Sequence, residues 1–146
     1  MGGNLTTFVN FLNRENPPRM NWRKHILFIE DLEIDLEDLH RLLAALRRHR
    51  IFKKIRGLVI GSLSKDRHTA RGKNFQKRAL LFLKIYLAEV LKRRQKLGYP
   101  LPILLVPNFG HNITRNMPVI PIGGHVSIAK SKTLTFQLSK KKEAAG

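Results

Sequence analysis

Glu30 and His111 are the residues whose types and setting could do chemistry. Glu30 closes the stretch Lys24-His25-Ile26-Leu27-Phe28-Ile29-Glu30-Asp31, where a basic pair leads into four apolar residues and then two carboxylates. His111 follows another apolar run, Ile103-Leu104-Leu105-Val106, after the turn-forming Pro107-Asn108-Phe109-Gly110. A carboxylate that accepts from Nδ1 of an imidazole fixes its tautomer and stabilises the imidazolium. The other ring nitrogen is then free to take a proton from a hydroxyl, as in a nucleophilic triad. Gly110 lets the chain turn tightly enough for the ring to face such a site. Asp31 is expected to support the loop after Glu30 rather than to react.

The two residues meet only if the elements carrying them end on one edge. An apolar run without alternation predicts a strand buried on both faces, within a sheet covered by helices on both sides. Ile26–Ile29, Ile55–Ile60 and Ile103–Val106 all read this way. Between the first two, Asp35 is a candidate N-cap, and Leu36, Leu39, Leu42, Leu43 and Leu46 form one helical stripe that ends in Arg47, Arg48 and Arg50. Strand, helix, strand at this spacing predicts a parallel βαβ unit. Parallel strands bring Glu30, Gly61-Ser62 and His111 to one carboxyl edge, where open α/β sheets hold their chemistry. A short helix is predicted from Asn4 to Leu12, stopped by Asn16-Pro17-Pro18, and a long one from Arg78 to Lys96. Residues 62–77 read as a polar loop. Val126–Ile128 and Thr133–Leu138 read as a closing hairpin around Lys130-Ser131-Lys132, and residues 139–146 as a basic, frayed tail.

Composition narrows the classes. The 146 residues suit one domain, and the 42% hydrophobic content argues against a disordered chain. Cysteine is absent, so thiolate chemistry and disulfides drop out. Met1-Gly2-Gly3-Asn4 lacks the basic and apolar regions of a signal peptide, and no apolar stretch approaches a membrane span. A soluble, cytoplasmic chain with no membrane partner is expected. The net charge of +18 is uneven: residues 1–50 carry 8 Lys/Arg against 7 Asp/Glu, and residues 51–146 carry 20 against 3. Such a field attracts polyanions without specifying one, and a solvated basic surface is the plainer reading because no recognition motif accompanies it.

Other residues offer weaker cases for chemistry. Ser62 follows Gly61 at the expected edge, but no Gly-x-Ser-x-Gly turn surrounds it. His25, His40, His49, His68 and His125 show no metal-ligand spacing. Trp22 beside Arg23 and Lys24 fits packing against the first helix better than a base platform. The Pro118–Gly124 run reads as a rigid loop and as a wall for a pocket.

Several motifs in order resemble a known family. Gly2-Gly3-Asn4-Leu5, Leu27-Phe28-Ile29-Glu30-Asp31, Gly57-Leu58-Val59-Ile60-Gly61, Phe109-Gly110-His111 and Met117-Pro118-Val119-Ile120-Pro121-Ile122-Gly123 are similar to the C-terminal half of the LD-carboxypeptidases, serine peptidases of murein recycling. The last run is most similar to the microcin-immunity branch. The resemblance implies an α/β fold, a swivelling β/β/α-type domain over residues 1–138 with a parallel βαβ core and a closing hairpin. It further implies that Glu30 and His111 are the glutamate and histidine of a Ser-Glu-His triad that hydrolyses the L–D amide bond of a murein tetrapeptide or a related peptide conjugate. No metal or organic cofactor is implied.

In that family the serine and the oxyanion donors belong to an N-terminal domain to which no residue here corresponds. The chain is therefore expected to be inactive alone and to need a serine-bearing domain, on its own polypeptide or in trans, besides its peptide substrate. A homodimer and a nucleic acid are the other partners the sequence leaves open. The competing reading is a basic binding module on a degenerate peptidase domain, engaging nucleic acid through Arg47-Arg48-His49-Arg50, Lys53-Lys54, Arg71 and Lys73, Lys77-Arg78 and Lys92-Arg93-Arg94. Steep weakening by salt would mark that module.

Overall fold

The computed structural model describes residues 1–17, 19–32, 34–63, 69–106, 108–111, 125–129 and 134–137. Strands β1 (Gly2–Asn4), β2 (Ile26–Glu30), β3 (Gly57–Ile60) and β4 (Ile103–Leu105) lie side by side in that order, and every neighbouring pair is parallel. The register places Phe28 beside Val59 and Val59 beside Leu104, so the strands' carboxyl ends share one edge. Helices α1 (Leu5–Leu12), α2 (Leu36–Arg48), the single turn α3 (Ile51–Lys54) and α4 (Ala70–Lys96) make the connections. Strands β5 (His125–Ile128) and β6 (Leu134–Gln137) pair antiparallel.

Alternate side chains of the sheet face two different covers. Leu27, Ile29, Leu58 and Ile60 pack with Leu39, Leu43 and Leu46 of α2, and with Leu83 and Leu87 of α4. On the opposite face Ile26, Phe28, Val59 and Leu104 pack against Val126, Ile128, Leu134 and Phe136 of the hairpin. The layers are therefore hairpin, sheet and helices. The expectation of helices on both faces is corrected: an apolar run demands cover on both sides, and a hairpin with one apolar face meets that demand as well as a helix does.

Three further boundaries differ from the sequence reading. Helix α4 begins eight residues before Arg78, at Ala70, where the Thr69 hydroxyl accepts from the Gly72 amide. Of the residues read as loop, 70–77 form the start of α4, with Phe75 packed on the core and Gln76 accepting from the Leu63 amide. Ile55 and Arg56 precede β3 instead of opening it. Arg50 takes left-handed geometry (φ 58°), which ends α2 and starts α3, burying Ile51 and Phe52. Strand β1 has no counterpart in the apolar pattern, because Gly2-Gly3-Asn4 has no apolar side chain to signal it. The Lys130–Lys132 turn, residues 139–146, the Pro118–Gly124 run and His68 lie outside the described residues.

Candidate active site

Glu30 is the last residue of β2, and its side chain is only 4% exposed. A carboxylate taken from water needs donors to replace the lost hydration. Among the described residues its donors come from one residue 81 positions away: the His111 main-chain N–H donates to Oε2 at 3.2 Å, and His111 Nδ1 lies 2.7 Å from the same oxygen. Because an ionised carboxylate only accepts, Nδ1 carries the proton in this pair and the neutral ring keeps its lone pair on Nε2. The imidazole is about half exposed, at 54%.

The turn that delivers His111 fits only because two positions lack a side chain. Gly110 has φ +126°, and a Cβ there would come within 3.0 Å of Glu30 Oε2 and 3.1 Å of its Cβ. At Gly61, just past β3, a Cβ would lie 2.3 Å from the Phe109 carbonyl oxygen. Beyond the strands the three edge segments are laced by main-chain bonds. The Asp31 amide donates to Ser62 O (2.9 Å), the Ser62 amide to Phe109 O (2.8 Å), and the Phe109 amide to Val106 O (3.0 Å). Phe109 packs edge-on against Phe28 at 5.9 Å between ring centres, which pins the segment to the sheet.

Asp31 does more than support its own loop. Its carboxylate accepts from Asn4 Nδ2 (2.8 Å), from the Thr6 amide (2.8 Å) and hydroxyl (2.7 Å), and from the Leu32 amide (2.7 Å). Asn4 caps α1 by accepting from the Thr7 amide. Asp31 thus locks the β1–α1 junction to the end of β2, beside the rim, and takes no part in the Glu30–His111 pair. Ser62 is buried at 3% exposure and its main chain is part of the lacing, which ill suits an attacking hydroxyl. Trp22 is buried against Phe8 of α1 in an edge-on contact of 5.9 Å. His25 bonds the Asn21 carbonyl, His49 bonds Asn13, and His40 packs on Phe82 and Tyr86. Among the described residues no three His, Asp or Glu side chains gather as metal ligands.

Sequence reasoning placed Glu30, His111 and Gly110 at this rim. It placed Gly61 there too, but missed the close approach of the Phe109 carbonyl that Gly61 permits, the main-chain donor of His111 and the Asn4–Thr6–Asp31 lock. A glycine directly after a buried strand was the available signal for Gly61, whereas hydrogen bonds from the main chain leave no mark in residue types.

Set beside known proteins, residues 1–128 match the family model described as the LD-carboxypeptidase C-terminal domain. Among solved structures, the muramoyltetrapeptide carboxypeptidase from Oxalobacter formigenes superposes with a TM-score of 0.57 and 25% identity, over 91% of this chain and 42% of that one. The 146 residues thus span less than half of that structure's length. No curated protein matches. Among the described residues no helix is long and apolar enough to cross a membrane.

Proposed function

We propose, from the premise that this chain belongs to the LD-carboxypeptidase family as a C-terminal domain, that it supplies the base and the orienting acid of a serine peptidase. The single observation that carries the reading is the 2.7 Å contact between His111 Nδ1 and the buried Glu30 carboxylate. Glu30 holds the Nδ1–H tautomer, and Nε2 receives the proton of a serine hydroxyl as it attacks a peptide carbonyl. The imidazolium formed is stabilised by the carboxylate and returns the proton to the departing amine. The bond broken is an L–D amide, releasing the terminal D-alanine of a murein tetrapeptide, a reaction we place in the cytoplasm. The serine and the oxyanion donors come from an N-terminal domain, on the same polypeptide or on a partner. Without them these 146 residues hydrolyse nothing, because a base with no nucleophile has nothing to activate.

The test is complementation. The chain is mixed with the serine-bearing domain of an LD-carboxypeptidase, and D-alanine release from murein tetrapeptide is followed. Release is expected from the mixture and from neither part alone, and His111→Ala should abolish it. Release by the chain alone, or undiminished release with His111→Ala, would overturn the reading.

A further inference from the structure

The opposite edge of the sheet, where the strands begin, holds a second feature that the peptidase reading does not use. Three helices end there with cations: the last turn of α2 carries Arg47 and Arg48, that of α3 Lys53 and Lys54, and that of α4 Arg93, Arg94 and Lys96. Basic residues at helix C-termini are ordinarily explained by the helix dipole. Three such termini present only roughly half a negative charge each, too little to account for this gathering. Nor do carboxylates balance it: among the described residues the one acid lining the cleft, Glu89, is 82% exposed and 3.6 Å from Arg47.

The cations line two adjoining hollows. The first, of about 310 Å³, lies among Arg47, Arg50, Lys53 and Arg93, and the second, of about 520 Å³, among Arg23, Lys54 and Arg56. Lys53, Arg94 and Tyr99 line both, so the hollows meet over them. Arg94 is buried and rigidly held, donating Nε–H to Tyr99 O (3.0 Å) and Nη1–H to Phe52 O (3.0 Å) and Ile55 O (2.7 Å). Its guanidinium lies 5.4 Å from the centre of the Tyr99 ring, and Tyr99 is 49% exposed. An aromatic ring backed by a fixed cation and set in a basic groove is a platform on which a base can stack while phosphates follow the cations.

We propose that this groove binds single-stranded nucleic acid, with a base stacked on Tyr99 and the backbone tracked by Lys53, Arg93 and their neighbours. A flat anionic surface is the poorer fit, since Leu97 and Tyr99 line a concavity instead of capping a protrusion. The groove and the Glu30–His111 rim lie at opposite ends of the parallel strands, so occupation of one leaves the other open.

Fluorescence anisotropy of a labelled twenty-nucleotide oligothymidylate, titrated with the 146-residue chain, tests this. With about four phosphates neutralised, the affinity should fall roughly fifty-fold between 50 and 200 mM salt. Tyr99→Ala should weaken binding by about 5- to 100-fold, and Tyr99→Phe, which keeps the stacking face, by less than about twofold. Lys53→Gln with Arg93→Gln should make the logarithmic salt slope shallower by about 1.4, while Lys73→Gln with Lys77→Gln, equal in charge but near the other end of α4, should leave it unchanged. Three results would overturn the proposal. They are affinity unchanged in folded Tyr99→Ala, equal losses from the two double variants, and capture by phosphatidylserine vesicles with none by the oligonucleotide.

Discussion

The two edges of the sheet are built on opposite principles. At the carboxyl edge the groups of the candidate site are few and buried or half-buried, and they are placed by contact: Glu30 reaches His111 through two donors on a single residue, and the turn that delivers His111 closes because Gly61 and Gly110 have no Cβ. At the amino edge the groups are many, and most stand in solvent without ion-pair partners among the described residues. Attraction at short range in a dry site is large and falls away with small displacements. Attraction from a field of exposed charges is weak per charge, additive and screened by salt. The first kind of site should fail at one substitution, and the second should fade in steps. Arg94 is the exception on its side, a buried cation at the base of the exposed field.

The contrast breaks most sharply at Glu30. Glu30→Gln keeps the shape but no longer enforces the Nδ1–H tautomer, and in the complemented enzyme D-alanine release should drop by about 10⁴-fold. Proton NMR gives an independent reading, since the downfield Nδ1–H resonance of His111 should vanish or move upfield while the circular dichroism spectrum is kept. A variant retaining full activity would mean that the pair is structural. The next largest effect belongs to Arg94. Burial pulls its guanidinium below its ordinary pKa, with Tyr99 opposing, yet arginine stays charged. Arg94→Met fills similar space but strips donors from the Phe52, Ile55 and Tyr99 carbonyls, which should lower the stability by about 3 kcal/mol in urea unfolding. Loss below about 1 kcal/mol would show that water replaces those donors freely.

How much of this was legible depends on what kind of signal each element leaves. Unbroken apolar runs announced β2, β3 and β4, and parallel order followed from connection length. That order alone brings Glu30 and His111 to one edge. The expected burial on both faces holds for β2 and β3 but not for β4, the last strand of the sheet, where Leu104 is buried and Leu105 is 51% exposed. Side-chain types could not say that Oε2 accepts twice from His111, or that the Asp31 carboxylate reaches back to Thr6, since those bonds depend on where the main chain passes. The hairpin was visible as two short strands, but not its place over Phe28, because alternation fixes which face is apolar and not which surface covers it. In the sequence Arg94 stands with Lys92 and Arg93 as one basic run at a helix end. Only the position of α3 relative to α4 separates a buried arginine from its exposed neighbour.

The smallest effect divides the two edges by their response to salt. Raising sodium chloride from about 20 to about 300 mM shortens the screening length from roughly 20 Å to roughly 6 Å. Like charges crowded at the amino edge repel in the folded chain more than in the expanded unfolded one, so screening should favour folding. A gain of about 1 kcal/mol is expected, read as a rise of roughly 3 °C in Tm. The Glu30 contact is shielded by burial at 4% exposure, and its Nδ1–H resonance should not shift over the same range. In Lys53→Gln with Arg93→Gln the thermal gain should shrink, because two of the repelling charges are gone. A Tm that falls with salt would show that attractive pairs such as Arg41–Asp38, at 2.8 Å, outweigh the crowding. The amino edge would then be a set of local ion pairs, and the division between a contact-built and a field-built edge would not hold.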